Sequence, residues 1–585
     1  MATPLPADLN KVDRTEAWKP WTPTADEPWN RKWAAHLFRR AAFGATPAEI
    51  DRALTEGFPK TLERLLAGAP DAGDLSDVFS EAGGFFDEPA NLRIWWLYVM
   101  LEGGHPLREK LTLFWHNHFA TSYAKIRSTK LMFEQNVTLR KHALGKFRPF
   151  LLDMSKDTAM LVWLDSNRNV VGAPNENYAR EVMELFSLGV GNYTEKDIQE
   201  AARAFTGWHH DPGVTAFENN PALHDEGQKT VLGQKGAWTG TDIVRICCDQ
   251  PACAKFLVGK LYAFLVSETP PPKGLLTPLE DRFRKSDYSI ADLVATILGS
   301  RLFFSAHAYH KRVKWPVEYA LEACRAVTPG RVPLSDLVAP LAKMGQVLFA
   351  PPNVKGWRTG TDWLNSATLL ARNNFAETVA LGEWSRQGSR PPKGGLGFEP
   401  PQPPQAAIAI PFSEDATIAV AGGSAAAAAM ATFTISDSPD GTKAVILQQA
   451  EAKSGKSSTP PSPPEGGVDP IATLYATKPK DVAALVTRMS ELLYGDRIAA
   501  IQTAKIEKFL REPLTAPKAS APQPKNGPKK GSGKSESVPP TAPTTKTPVE
   551  EPKNSNALNL ESPEFKARVR EALHAMMCLP EYQLN

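Results

Sequence analysis

Glu181 and Glu184 stand three residues apart in the densest carboxylate cluster of the chain, PNENYAREVMELFSLGVGNYTEKDIQEAARAFTGW at residues 174–208. Helical residues at that spacing share a face, so the two carboxylates can converge on one ligand. Imidazole and carboxylate are the donors that manganese, iron and zinc accept, and helical bundles build such sites from facing side chains. The expected metal set is therefore His118, Glu181, Glu184, His224 and Asp225, around a divalent or transition metal ion. Asp165, Asn175, Glu176, Asn177 and Arg180 form a further polar cluster beside it. Each group also has a blander reading: Glu/Arg rows are usually solvated ion-pair faces, and a histidine among apolar neighbours is more often a satisfied core residue than a ligand.

Other chemistries find less support. HExxH is absent, and the two ExxH spacings, Glu102/His105 and Glu571/His574, fall in weak settings. A nucleophile mechanism has neither a GxSxG elbow nor a cysteine with an evident histidine partner. GSGKS at 531–535 lacks the first glycine of a phosphate loop and has no strand before it, so no nucleotide cofactor is expected.

Helices must position these side chains. On a wheel of about 100° per residue, Asn177, Arg180, Glu181, Glu184 and Leu188 fall on one arc, with Tyr178, Val182, Met183, Leu185 and Phe186 on the other. Gly189 is placed to end that helix in a left-handed conformation, and Thr194 with Asp197 resembles a capping box for the next. Ile198, Ala201, Ala202, Phe205 and Trp208 make the second apolar stripe. In the helix expected at 106–120, His118 shares a face with Leu107, Leu111, Phe114, Trp115 and Phe119, while His116 points away with Glu109 and Thr112. Ser155 is a candidate N-cap leading to Asp165, and connectivity places Asp165, Asn167 and Asn169 near Asn175 and Glu176. Residues 209–240 read as an irregular excursion. Strand pieces near 214–217 and 230–232 are expected to pair there, with His224 and Asp225 at their loop.

Composition sets the frame. In 585 residues, 67 basic against 64 acidic side chains leave a net charge of +3, no electrostatic footprint for nucleic acid. The N-terminus carries no signal-like pattern and no apolar run is long enough to span a bilayer, which reads as cytoplasmic by default with export as the alternative. Five cysteines read as buried free thiols. The fold class expected is mainly α: a multi-helix core with a small irregular or β excursion and two low-complexity inserts. Its organisation reads as a polar N-terminal arm over 1–30, a helical core over 31–386, and a Pro/Ala/Gly-rich insert over 387–469. A helical pair over 470–512, a disordered tether over 513–558 and a C-terminal helix over 559–585 docking on the core complete it.

Seven ordered segments carry a family resemblance: HLFRRAAFG (36–44), LFWHNHFAT (113–121), HALGKFRPFLLDMSKDTAMLVWLD (142–165), NENYAREVMELFSLGVGNYTEKDIQEAARAFTGW (175–208), HDEGQKTVLG (224–233), PPNVKGW (351–357) and PEYQLN (580–585). The chain resembles the bacterial family called domain of unknown function 1800. The resemblance implies a large, mainly helical protein and supplies no reaction or catalytic residue. It also implies a partner or shared pathway with the domain of unknown function 1501 family, which is similar to the alkaline-phosphatase and sulfatase superfamily. The polar residues that cluster in what reads as the interior favour a metal-dependent enzyme using a carboxylate/histidine cluster; the alternative is a binding or assembly protein acting with a partner or polysaccharide.

Overall fold

In the computed structural model, the described residues are 4–69, 85–211, 216–328, 333–384, 469–496, 498–512 and 559–584, with three strands inside the insert. They form a mainly helical body around one large apolar cluster. The rest of the insert and all of 513–558, the expected tether, lie outside the described residues. Within the insert, β5 (Ile418–Ala419), β6 (Thr432–Asp437) and β7 (Lys443–Gln448) make an antiparallel ladder in the order β5-β6-β7.

Local sequence rules explain most helix ends. Thr46 and Glu49 exchange a capping box ahead of helix Pro47–Glu56, with Pro47 at its first position. The expected second capping box is present too: Asp197 N–H donates to Thr194 Oγ1 at 3.2 Å and Thr194 N–H to Asp197 Oδ2 at 2.8 Å. Ile198, Ala201, Ala202, Phe205 and Trp208 are all buried, as their spacing requires. The N-terminal arm is pinned through its tryptophans. Trp18 Nε1 donates to the Leu275 carbonyl at 2.7 Å, and Trp21 stacks on Phe304 at 4.2 Å.

Four local expectations are corrected. The helix carrying the glutamates is not regular: α-helix Asn177–Glu181 passes into a π-helix, Val182–Ser187, and Leu188 is buried, not on the polar arc. Helix Pro106–His118 is buried all round, so Glu109, Thr112 and His116 are as enclosed as His118. Ser155 ends a helix instead of starting one, with its hydroxyl donating to the Leu151 carbonyl; the N-cap is Asp157. The excursion makes two separate hairpins, because β2 (Ala216–Asn219) pairs back with β1 (Trp208–Asp211), and β3 (Lys229–Val231) pairs with β4 (Gln234–Gly236). His224 and Asp225 lie between the hairpins.

The core holds charge as well as apolar side chains. Glu322 accepts from Arg39 Nε at 2.6 Å and Lys314 Nζ at 2.9 Å, and Glu318 is paired with Lys110 at 2.5 Å and with Arg312. Both carboxylates are buried, and the surrounding cations hold the Glu318 carboxyl at about 2 against the cost of burial. The end of the chain reaches this network: Gln583 accepts from Arg372 Nη1 at 3.0 Å and from the Lys314 N–H at 2.9 Å. In helix Pro563–Cys578, the Met576 carbonyl accepts from the Tyr494 hydroxyl and His574 Nε2 lies 3.2 Å from Asn373 Oδ1.

Candidate functional site

His118 meets the end of the π-turn. The helix stops at Ser187, which leaves the Leu185 and Phe186 carbonyls without donors from a following turn. His118 and Lys260 supply them. His118 Nε2 lies 3.0 Å from the Phe186 oxygen, Lys260 Nζ donates to the Leu185 oxygen at 3.2 Å, and Lys260 Nζ is 3.1 Å from His118 Nδ1. These partners assign a neutral His118 with its proton on Nε2 and Nδ1 accepting from the lysine. Burial, reinforced by the Lys260 charge, pushes the His118 pKa well down, and burial lowers Lys260 to about 8. His118 therefore closes a helix end, with both ring nitrogens engaged.

Glu181 and Glu184 lie half-buried on the outer face of the same turn. The basic neighbour that would neutralise them is directed elsewhere: Arg180 grips Glu195 at 2.7 and 2.9 Å and Glu176 at 3.1 Å. Glu184 accepts from the Tyr193 hydroxyl at 2.8 Å. Among the described residues Glu181 has no hydrogen bond or ion pair. Burial raises its pKa, and the Glu184 charge adds to the rise; Arg180 and Lys355 oppose it.

Lys355 arrives on residues 351–357, which are fastened to the end of the His118 helix. Asn117 Oδ1 accepts the Trp357 N–H at 2.6 Å, and a Cβ on Gly356 (φ +87°) would sit 2.2 Å from that oxygen. Only glycine fits so close an approach. His116, the residue before Asn117, is walled by Trp96, Phe349 and Trp357. Three of the segments that carry the resemblance thus meet at one place.

A family model described as a protein of unknown function (DUF1800) matches residues 36–584. The chain belongs to this family. No curated protein and no solved structure matches it.

In this DUF1800 chain the remaining expected ligands lie elsewhere. Asp225 is clamped by Arg203 through Nε at 2.8 Å and Nη2 at 3.1 Å, which holds its carboxyl below the usual range. His224 Nδ1 sits 2.9 Å from the Thr206 carbonyl. The five residues therefore occupy three places, and among the described residues no group of three or more His, Cys, Asp and Glu is arranged to hold a metal ion.

The residues of the second polar cluster divide between two groups. Asn175 N–H donates to Asn169 Oδ1 at 2.9 Å, Asn175 Oδ1 accepts the Asn177 N–H at 2.9 Å, and Asp165 pairs with Lys125 at 3.0 Å. Glu176 belongs to the Arg180 group.

Sequence reasoning missed Tyr193, Lys260 and Lys355. Tyr193 was within reach, since Gly189 folds the chain back and returns it to Glu184. The lysines come from distant segments and carry no local signal. A cleft of about 260 Å³ lined by Glu134, Asp153 and Asp157 was missed too. Burial raises the Asp157 carboxyl there to about 7, against the Met160 N–H and Gln135 amide that favour its ionised form. No helix among the described residues is long and apolar enough to cross a membrane.

Proposed function

We propose that the protein acts at the face of Glu181 and Glu184, as an enzyme that uses a divalent cation held by these two carboxylates. One observation carries the reading: the pair is half-buried and left without a basic partner, because Arg180 is committed to Glu195 and Glu176. Like charges in partial burial repel, and a bound cation relieves both costs. A hard, oxygen-preferring ion such as Mg²⁺ or Mn²⁺ suits two carboxylates, since its other positions are filled by water and substrate oxygens. His118 drops out of the ligand set with both ring nitrogens engaged and Asp225 with its carboxylate clamped by Arg203, and His224 joins no group of three or more such side chains among the described residues. Lys355 flanks the pair with positive charge suited to an anionic substrate group. Equilibrium dialysis of the full chain against Mg²⁺, Mn²⁺, Ca²⁺ and Zn²⁺, followed by elemental analysis, tests this. Near-stoichiometric Mg²⁺ or Mn²⁺, lost in both Glu181→Gln and Glu184→Gln, is expected; protein that retains no metal, or retains it equally in both variants, sinks the reading.

A binding or assembly role is the second reading. Val190 and Val171 favour it, since both are exposed on turns flanking this helix, at 77% and 47%. A polysaccharide or a member of the domain of unknown function 1501 family is the partner to test there, by pull-down with Val190→Asp as the disabling variant.

A further inference from the structure

Glu318 stands in the most highly charged part of the interior. Its Oε1 takes Lys110 Nζ at 2.5 Å and Arg312 Nη2, and its Oε2 takes the Trp315 N–H at 2.7 Å. Lys110 has no donor to spare, since its ammonium also reaches the Arg39 and Ala42 carbonyls at 2.9 and 2.8 Å. Arg312 does. Its side chain is 1% exposed, and its Nε and Nη1 meet no acceptor. The guanidinium lies over the Phe264 ring at 4.9 Å, a contact that serves the face of the group and leaves the in-plane N–H bonds unserved.

Arg40 adds a third cation to this neighbourhood. It is fully buried, donates through Nη2 to the Ala308 carbonyl at 2.8 Å, and has its charged form disfavoured first by burial and then by the Arg312 charge. Among the described residues the opposing charges are Glu318 and the half-buried Glu268, whose two oxygens accept the Val313 and Gly360 N–H groups at 3.0 Å each. Lys110, Arg40 and Arg312 thus face two carboxylates, a surplus of one positive charge. Proton loss does not remove it at neutral pH, because arginine keeps its proton and Lys110, lowered by burial to about 8, stays mostly charged. Around Glu322, one turn along the same helix, Lys314 is lowered by burial to about 7 and can discharge instead. Buried charge without compensation is costly, so the Glu318 side favours an occupant that carries one negative charge and accepts from Arg312.

We propose that the core binds one chloride ion at the free Nε and Nη1 of Arg312. A single-charged anion brings the three cations and two carboxylates to neutrality. Enclosure among buried side chains suits a small spherical ion that accepts from any direction, whereas a phosphate brings close to two charges and more oxygens than two free nitrogens serve. The ion is a structural ligand. It balances charges carried by helix Arg31–Ala41, helix Pro106–His118 and the segment ahead of helix Pro316–Val327, and so joins three parts of the body that are far apart in sequence. The proposal uses neither Glu181 nor Glu184 and stands apart from the cation reading.

Thermal melts of the full chain at pH 7.5, in sodium chloride and in sodium methanesulfonate at the same ionic strength, test it. The wild type should melt at a higher temperature in chloride, with a rise that continues with the logarithm of its concentration, as expected for a ligand that binds only the folded chain. Arg312→Met leaves two cations against two carboxylates, so it should melt alike in both salts. Should that variant fail to fold by circular dichroism, Arg312→Lys, which keeps the charge and loses the in-plane donors, takes its place and should show a much smaller chloride effect. Ion chromatography of wild-type protein, desalted into methanesulfonate and then denatured, should release near-stoichiometric chloride. Identical wild-type melts in the two salts would overturn the proposal, and so would a full chloride effect in the Arg312 variant. Protection by sodium phosphate at concentrations where chloride gives none would overturn the assignment to a halide.

Discussion

Glu181 is the side chain on which the functional reading turns, and its titration gives the reading a thermodynamic signature. Burial and the Glu184 charge raise its pKa in the folded state. Above the unfolded value the folded protein therefore binds more protons, and stability falls as pH rises towards the folded pKa. Below the unfolded value the penalty vanishes. Glu181→Gln should raise the melting temperature at pH 7.5 and leave it unchanged near pH 4, in melts followed by circular dichroism. Asp225 behaves in the opposite sense. Arg203 lowers its pKa, so its contribution is present at neutral pH and is lost as pH falls through the folded value. Asp225→Asn should accordingly destabilise at pH 7 and lose that effect in acid. The residue types at both positions were plain in the sequence; their surroundings were not, because the charges of Arg203 and Lys355 come near them only through tertiary packing.

At the scale of the element, the hairpin shows what local rules resolve and where they stop. Its capping box, its glycine stop and its second apolar stripe were legible because each depends on residues within a turn of one another. Thr194→Ala should cost about 1 kcal/mol through loss of the cap. Gly189 has φ +79°, and a Cβ there would lie 2.8 Å from Phe256 Cδ2. Gly189→Ala should therefore cost about 1–2 kcal/mol from the backbone conformation alone, and more if Phe256 cannot shift; thermal melts read both. The π-turn was not legible. A 3.6-residue wheel assumes regular winding, and the carbonyls at the end of Val182–Ser187 meet donors from helices Pro106–His118 and Pro251–Leu265, far away in sequence. The pairing of the excursion was misplaced for a related reason, because strands this short are fixed by their turns and neighbours more than by their own propensity. Trp208 and His209 thus became strand residues opposite Asn219 and Glu218.

Across the whole molecule, the predominance of helix followed from periodicity, whereas the ionic centre did not. Arg39 lies far along the chain from Lys314 and Glu322, and the three meet in a buried cluster that Gln583 helps to cover. On a helical wheel Arg39 and Glu322 read as ordinary polar positions, and Lys314 lies just ahead of a helix. Removing one partner from such a group leaves charge buried without compensation. Glu322→Ala should therefore destabilise by about 3–5 kcal/mol, visible as a large fall in melting temperature.

The central claim, that Glu181 and Glu184 together hold a cation, is most directly tested by isothermal titration of Mn²⁺ into the full chain at pH 5.0 and pH 7.5. The account predicts one saturable site, tighter at pH 7.5 because Glu181 must ionise to bind, and abolished in the Glu181→Gln/Glu184→Gln double variant. Binding that is indifferent to pH and survives in the double variant, or no binding at either pH, would contradict it.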